Sequence, residues 1–414
     1  MDRLDRARQE LTEVRDHLGE VRLFLEGVTC DLLFFEHLAD GLPPEKIRIR
    51  QEVYLSPHAF ADIEVTAGSA DPYFVEIDVG YTRERLVESL RRKYAAAVPA
   101  RTRASRLIVV VDSALLQRDL DLERAVREHL RPGLDLQLLT ERQLLDRFAK
   151  RFDVTTGGLT EAHLPEIRQG IDRAKGVYAF GDGFANTPLE ESLLWQLAFW
   201  NLRRLREGGR TDPRMVLVPG SYPEVVVVYA DLCSYSSYVR DTREQGVVRQ
   251  SLTAFSSKSR YRVINDGGFL YQFQGDSVIG LFGVPEAGSD HVVRALECAR
   301  QLADIGASVA NEWQRHIDQV QSAAGVHIAM TIGTLEMLSL RPLSRTHMGA
   351  VADAINLAAR LNGMAECDEV VVSNTLYQRL PYAAREGFRE LEPVEARNIG
   401  RVRAWKLGPL RGVG

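Results

Sequence analysis

Two aspartates at the ends of apolar segments are the residues of this sequence best placed to do chemistry. The run EVVVVYADL is typical of a buried strand, and Asp231 marks its polar end. The run YQFQGDSVIGLFG is typical of a strand-turn-strand hairpin with Asp276 at its tip. Either aspartate alone would be ordinary, because aspartate is common at turns. Two carboxylates at the ends of neighbouring strands, however, form an oxygen-rich pocket that suits hard divalent cations such as Mg²⁺ or Mn²⁺.

A second pair of polar residues lies in DAINLAARLNG. Asn356 and Arg360 are one helical turn apart, so both project from the same face of the predicted helix. An amide can hydrogen-bond a sugar hydroxyl, and a guanidinium presents a fixed fork of donors to phosphate oxygens. Taken alone, the pair is also what an ordinary solvated helix face would carry. Beside the two acidic strand ends, we favour a functional role.

In this order, the segments resemble the catalytic domain of class III nucleotide cyclases over residues 222 to about 408. That family has an apolar strand ending in Asp, a Gly-Asp hairpin followed by Phe-Gly, and a helix that carries Asn and Arg. The corresponding residues here are Asp231, Gly275-Asp276, Phe282-Gly283, Asn356 and Arg360. The resemblance implies an α+β fold with a ferredoxin-like βαββαβ core. It also implies an enzyme that converts a nucleoside triphosphate to its 3′,5′-cyclic monophosphate and pyrophosphate.

The resemblance further implies the roles of these residues. Asp231, Asp276 and the backbone carbonyl of Leu232 would bind two divalent cations, Mg²⁺ or Mn²⁺, which activate the ribose 3′-hydroxyl and neutralise the triphosphate. Asn356 would fix the ribose, and Arg360 would stabilise charge on the phosphoryl oxygens. In the family, the metal ligands and the Asn/Arg helix come from different catalytic domains. A chain with one such domain therefore implies a homodimer with composite active sites.

The segment EARNIGRVRAWKLGP lies where the family has a Lys-Gly turn that holds the polyphosphate, and it contains no Lys-Gly. Counting back from Trp405 puts Arg397 at the lysine position, with Arg401 close by. Arginine grips phosphate oxygens at least as well as lysine. Surface charge is the alternative interpretation of both residues.

Two further positions determine the purine in this family, and neither purine code is present. The first, four residues before the hairpin aspartate, is Lys in adenylyl and Glu in guanylyl cyclases, and here it is Gln272. The second, seven residues before the helix asparagine, is often Asp or Thr for adenine and Cys for guanine, and here it is Gly349. A glutamine offers both a donor and an acceptor, so it can read uracil, cytosine or adenine. The aromatic residues Phe269, Tyr271 and Phe273 would narrow the pocket if they faced it.

We therefore favour substrate-binding roles for Gln272 and Gly349 in a pyrimidine cyclase that makes cyclic UMP, or else cyclic CMP. Such an enzyme resembles the Pycsar-type cyclases of bacterial antiphage defence, whose product acts on an effector encoded nearby. The alternatives are an adenylate cyclase and a catalytically inactive cyclase-like module that binds nucleotides.

The order of predicted elements in residues 28–152 resembles the core of the PD-(D/E)xK restriction-nuclease-like fold, an α/β arrangement. Asp62 and Glu76 match two of the acidic positions of that family. Asp78 stands where the family has a catalytic lysine, although Lys93 on the following helix can substitute for it. Because a third negative charge stabilises an attacking hydroxide poorly, we expect a regulatory or sensor domain, with a nuclease as the alternative.

The remaining segments complete a four-part organisation. Residues 1–27 carry heptad-spaced apolar positions from Leu4 to Leu25, typical of a dimerising coiled coil or of an amphipathic helix on its own domain. Residues 153–221 are a connector, in which a Thr187 cap with Glu190 opens one helix that closes at Gly208-Gly209. The predicted cyclase domain spans residues 222–410.

Composition excludes several function classes. With 45% apolar and 26% charged residues and a net charge of −5, the chain favours neither nucleic acid nor an acidic membrane surface as a global partner. The four cysteines show no CxxC or metal-binding spacing, which suits a reducing compartment better than a disulfide scaffold. The charged start and the shortness of the apolar runs predict a soluble cytoplasmic protein.

Overall fold

The computed structural model describes residues 3–95, 104–155, 163–317, 321, 323–341, 346–396 and 400–410. The chain divides into two compact units, Met1–Ala174 and Lys175–Gly414, with the division inside helix α6 (Leu164–Phe180). The four-part organisation expected from the sequence is finer than this division and stays a prediction.

The N-terminal unit is built on one mixed sheet of five strands within its described residues. Its strands are β1 (Ile47–Ser56), β2 (Ala59–Ala67), β3 (Tyr73–Ile77), β4 (Arg106–Val111) and β5 (Asp135–Thr140). Its helices before α6 are α1 (Arg3–Ala39), α2 (Arg83–Tyr94), α3 (Ser113–Arg118), α4 (Leu122–Arg127) and α5 (Glu141–Phe152). Strands β1 to β3 are antiparallel, whereas β3, β4 and β5 are parallel. The continuous apolar run of β4 fits this central parallel position, because such strands are buried on both faces.

Helix α1 corrects the expected boundary at residue 27, because it continues without a break to Ala39. Val21, Leu25, Val28 and Leu32 recur at helical spacing and are all buried within the N-terminal unit. Arg147 on α5 donates to Glu36 at 2.9 Å and fixes the end of the helix. From Val21 onward, the helix therefore packs on its own domain, the second of the two alternatives. The heptad positions Leu4 to Val14 lie outside the residues whose side chains are described.

The C-terminal unit contains the following elements. Its helices after α6 are α7 (Pro188–Gln196), α8 (Phe199–Glu207), α9 (Tyr235–Asp241), α10 (Gln245–Asn265), α11 (His291–Gln314), α12 (Asp353–Asn362) and α13 (Asn374–Arg379). Its longer strands are β6 (Gly220–Leu232), β7 (Phe269–Gln274), β8 (Ser277–Phe282) and β9 (Val326–Ser339). Its shorter strands are β10 (Met348–Val351), β11 (Val370–Ser373), β12 (Arg389–Glu390), β13 (Val394–Ala396), β14 (Gly400–Val402) and β15 (Ala404–Leu407).

The main sheet of this unit has the strand order β12-β15-β11-β9-β6-β8-β7, with β10 paired to β9. Its segment β9-β6-β8-β7 is antiparallel throughout, with α9 and α10 between β6 and β7 and α11 between β8 and β9. This is the ferredoxin-like βαββαβ arrangement, so the expected α+β class and ferredoxin-like core are confirmed. Val225 to Val228 on β6 are fully buried, as expected for the central strand. No helix among the described residues combines the length and apolar character needed to cross a bilayer.

The sequence predicts a single helix in the connector, and this prediction is wrong. Thr187 and Glu190 form the expected capping box at the start of α7, but α7 ends at Gln196 and α8 begins at Phe199. The side chain of Leu197 at the break is fully buried, and its backbone is extended. Arg260 on α10 donates to the carbonyls of Leu194 and Trp195, each at 2.8 Å. This distant arginine satisfies carbonyls that the helix end leaves open.

Candidate active site

Asp231 and Asp276 meet at one end of the ferredoxin-like core. In the β6–β8 pairing, Asp231 lies opposite Ser277, the residue directly after Asp276. Gly275 has a φ of 64°, a conformation that glycine adopts at little cost, and this allows the tight β7–β8 turn. The Leu232 N–H lies 3.4 Å from the Asp276 carbonyl oxygen, so the main chain joins the two strand ends. The structure therefore brings these two predicted ligands together.

Ser277 orients the first of these carboxylates. Its hydroxyl donates to Asp231 Oδ1 at 2.6 Å and accepts a longer hydrogen bond, 3.3 Å, from the hydroxyl of Tyr229. This chain of hydrogen bonds fixes the Asp231 side chain, as outer-shell partners fix metal ligands in known sites. Sequence reasoning missed Ser277, although its position directly after the hairpin aspartate was a usable signal.

The electrostatics of the pair favour a bound cation. Partial burial and then the negative charge of Asp231 raise the pKa of Asp276 to about 6. This raised pKa means that the positive or hydrogen-bonding groups of the protein stabilise the ionised Asp276 carboxylate too little to offset its burial and the charge of Asp231. Carboxylate and backbone carbonyl oxygens are the donors that Mg²⁺ and Mn²⁺ prefer. The residues at this end of the core therefore fit the divalent cations that the cyclase resemblance implies.

Helix α12 carries the second predicted pair, with Asn356 exposed and Arg360 half-buried one turn later. Two buried polar contacts hold the helix on the sheet. Thr331 donates to the Ala354 carbonyl at 2.7 Å, and Asn362 donates to the His327 carbonyl at 2.8 Å. The outward face of α12, which carries Asn356, is thereby presented to solvent, while its other face packs on β6 and β9.

The two positions expected to select the base lie on neighbouring segments of the same unit. Gln272 is exposed on β7, and Gly349 is buried on β10. The Tyr271 hydroxyl accepts from the Ala350 N–H at 3.1 Å and ties β7 to β10 beside both positions. A Cβ at Gly349 would lie 2.7 Å from Leu340 Cδ2, so glycine fits closely there.

Three other expectations have mixed outcomes. Phe269 is fully buried in the core, so the expectation that it could narrow a base pocket is wrong. Arg401 is exposed on β14, opposite Glu395 in the β13–β14 pairing. Arg397 lies outside the described residues.

The N-terminal unit contains a separate buried cluster of charged residues. Lys93 on α2 forms ion pairs with Asp62, at 3.0 Å, and with Glu76. Burial would raise the pKa of Asp62, but the Lys93 ammonium and the Ile77 N–H, which donates to the carboxylate, lower it. Burial and the charge of Asp62 raise the pKa of Glu76, and burial raises that of Asp78 to about 7. Lys93 therefore supplies the cation that the sequence motif lacks at Asp78, while the relation to nucleases stays a prediction.

The cysteines also depart from expectation. Cys233 and Cys367 are joined by a disulfide across a sequence separation of 134 residues, with Cα atoms 6.2 Å apart. The sequence pattern, which favours a reducing compartment over a disulfide scaffold, does not predict this bond, because the sheet brings together two cysteines that are far apart in sequence. Cys30 and Cys298 are both buried.

Comparison with models of known protein families gives no match. The chain is 27% identical over 142 residues to adenylate cyclase 1 of Rhizobium meliloti, covering 34% of this chain and 21% of that protein. It is 22% identical over 199 residues to an adenylate cyclase of Mycobacterium bovis, covering 47% and 42% respectively. Among solved structures, the adenylyl cyclase CyaB from P. aeruginosa is 16% identical, with a TM-score of 0.41, over 46% of this chain and 96% of that one. The chain thus spans less than half the length of these two curated relatives, and part of it is similar in sequence to adenylate cyclases.

Proposed function

We propose that the C-terminal unit is a nucleotide cyclase, which converts a nucleoside triphosphate to its 3′,5′-cyclic monophosphate and pyrophosphate. The observation that carries this proposal is the meeting of Asp231 and Asp276 at the β6 end and the β7–β8 turn of a ferredoxin-like core. The similarity of part of the chain to adenylate cyclases supports the same class of reaction.

Each polar group at the site has a defined task in this reaction. Asp231, held by Ser277, and Asp276 bind two divalent cations together with the Leu232 carbonyl. Bound Mg²⁺ or Mn²⁺ supplies Lewis acidity, which favours loss of the 3′-hydroxyl proton and neutralises triphosphate charge. Asn356 orients the ribose, and the guanidinium fork of Arg360 holds the phosphoryl oxygens as negative charge develops. Arg397 and Arg401 bind the leaving polyphosphate.

The active form is a homodimer with composite sites. Asn356 lies on the outward face of α12, which supports a site completed by a second copy of the chain. The metal-binding aspartates of one protomer then face the Asn/Arg helix of its partner, and two equivalent sites result from the two-fold symmetry.

The preferred substrate is UTP, with CTP second. Gln272 is exposed on β7, and the close fit of Gly349 against Leu340 leaves position 349 without a side chain to read a purine. Tyr271 holds the two segments together beside these positions. Discrimination then depends on the shape of the pocket and on the amide of Gln272. The alternative, an adenylate cyclase, is favoured by the sequence similarity to proteins of that activity.

The cyclic pyrimidine nucleotide acts as a second messenger for a separate effector in antiphage defence, and the protein works in the cytoplasm. The N-terminal unit regulates this activity. Its single buried Lys93 faces three acids, Asp62, Glu76 and Asp78, so an attacking hydroxide would be poorly stabilised, which supports a regulatory rather than a cleaving role.

The experiment incubates the full chain with each of the four nucleoside triphosphates and Mn²⁺, and identifies products by mass spectrometry. Pyrophosphate and a 3′,5′-cyclic nucleotide are expected, with kcat/KM for UTP or CTP at least ~10-fold above that for ATP, or about 1.4 kcal/mol. Binding without turnover would identify an inactive nucleotide-binding module instead. Comparable turnover of ATP would restore the adenylate cyclase alternative.

A further inference from the structure

A second group of metal-type donors lies in the C-terminal unit, outside the aspartate pair. The donor atoms of Cys233, His327 and Cys367 all lie within 4.8 Å of one another. Cys233 follows β6, His327 lies on β9, and Cys367 lies between α12 and β11. Backbone hydrogen bonds hold the three segments together, from Cys233 N–H to the Gly325 carbonyl at 3.0 Å and from Asp368 N–H to the Val326 carbonyl at 2.9 Å.

The imidazole of His327 is oriented as a ligand would be. Its Nδ1 lies 2.7 Å from the Ala365 carbonyl oxygen. A carbonyl only accepts, so Nδ1 is the donor, and in the neutral ring Nε2 is the nitrogen available to bind a cation. In metal sites, a histidine ligand characteristically donates its other ring N–H to a backbone carbonyl or carboxylate in this way.

The sulfurs of this group have two oxidation states. In the structure, Cys233 and Cys367 share a disulfide. A dithiol reductant breaks that bond by supplying two electrons and two protons, and it becomes a cyclic disulfide itself. The product is a pair of thiols close to a ring nitrogen of His327. Two thiolates and one imidazole form a donor set that binds Zn²⁺ with a fourth, water-filled position.

We propose that the reduced chain binds one Zn²⁺-type cation through Cys233, Cys367 and His327, and that the disulfide is the metal-free, oxidised form of the same site. The bound cation connects the end of β6, the start of β9 and the segment after α12. Asp231 is two residues before Cys233 and is paired with His327 across β6 and β9, so the cation braces the strand end that bears the active-site carboxylate. Thiolates select Zn²⁺, whereas the oxygen donors of Asp231 and Asp276 select Mg²⁺ or Mn²⁺. This inference does not depend on the proposed cyclase activity.

The test uses the full chain, reduced with dithiothreitol, freed of reductant and metal under anaerobic conditions, and titrated with Co²⁺ in excess Mg²⁺. One equivalent of Co²⁺ is expected to give thiolate-to-cobalt charge-transfer bands, which Zn²⁺ then abolishes. Cys233→Ser and Cys367→Ser should lose these bands, and His327→Gln should bind at least ~10-fold more weakly. Cys298→Ser, which removes a buried cysteine elsewhere in the unit, and Asp276→Asn should bind as the parent does.

Thermal unfolding of the parent chain tests for the metal site even if a serine variant does not fold. Zn²⁺ should raise the melting temperature of the reduced parent chain in a concentration-dependent manner, and should leave that of the oxidised chain unchanged. Oxidised His327→Gln should melt close to the oxidised parent, because its defect is in metal binding. The proposal is overturned if the reduced parent shows neither thiolate bands nor a Zn²⁺-dependent shift, or if Cys298→Ser loses both. Cyclase turnover plays no part in these readouts, so either proposal can fail alone.

Discussion

Replacing Asp276 with asparagine should stabilise the metal-free protein while it abolishes metal binding. The pKa of Asp276 is raised from 3.8 to about 6, by burial and then by the charge of Asp231. Each pKa unit corresponds to ~1.4 kcal/mol, so a fully buried group would carry a penalty of about 3 kcal/mol. Solvent screens the half-exposed Asp276, and we therefore expect a gain of ~1–2 kcal/mol, or ~2–8 °C in melting temperature for a domain of this size. Asparagine keeps the shape of the side chain and removes only its charge.

The direction of the stability change follows from the protonation of Asp276 in the native and unfolded states. Because the native pKa lies above the unfolded value, the ionised carboxylate destabilises the native state, and this penalty is complete above about pH 6. It is lost as the pH falls from about 6 toward 3.8, where both states hold the proton. The gain from Asp276→Asn should therefore be full at pH 8 and about half as large at pH 5.

The assay is differential scanning calorimetry in EDTA at both pH values, followed by a repeat at pH 8 with Mn²⁺. The matched control is Asp290→Asn, which removes an exposed carboxylate from the same unit and should change stability by less than about 0.5 kcal/mol. Mn²⁺ should raise the melting temperature of the parent and not that of Asp276→Asn. A variant no more stable than the parent at pH 8 in EDTA, or equally stabilised at pH 5, would refute the reasoning.

Three further predictions concern the dimer, the site and the N-terminal unit. Mixing inactive Asp276→Ala with inactive Arg360→Ala should restore about a quarter to a half of parental turnover; no recovery after verified subunit exchange would exclude composite sites. Ser277→Ala should lower kcat ~10–100-fold by releasing the carboxylate it orients, with rescue by threonine; unchanged kcat would show that this hydrogen bond is dispensable. Lys93→Met should destabilise the N-terminal unit by ~3–5 kcal/mol at pH 8 in denaturant titrations, and less at pH 5, where the buried acids with raised pKa take up protons. Exposed Arg91→Met is its control, and equal losses would contradict a buried ion cluster.

The parts of the site that the sequence predicts are those encoded locally. The apolar run that ends at Asp231 and the Gly275-Asp276 turn each lie within one contiguous segment, and the structure has them as β6 and as the β7–β8 hairpin. The Thr187 cap likewise depends on residues that are close in sequence, and it is confirmed. Strand and turn chemistry of this kind depends on neighbours in sequence, so one chain is enough to read it.

The parts that the sequence does not predict depend on distant partners. The break between α7 and α8 is stabilised by Arg260, which lies more than 60 residues further along the chain. The disulfide joins Cys233 to Cys367 across 134 residues, and no spacing motif signals it. The sequence identifies Lys93 as able to replace the motif lysine, whereas its ion pairs with Asp62 and Glu76 form only because α2 packs on the sheet. In each case tertiary packing, rather than a local pattern, brings the groups together.

The proposed reaction of this chain is cyclisation of a pyrimidine nucleotide at the Asp231–Asp276 site. The most direct measurement gives the purified protein an equimolar mixture of UTP, CTP, ATP and GTP with Mn²⁺, and quantifies the four cyclic products in one vessel by mass spectrometry. Cyclic UMP or cyclic CMP should exceed each cyclic purine nucleotide by at least ~10-fold, and Asp276→Ala should make none of the four. The proposed reaction is contradicted by an equal or larger yield of cyclic AMP, by cyclic product from Asp276→Ala above about a tenth of the parental rate, or by no cyclic product from the folded parent.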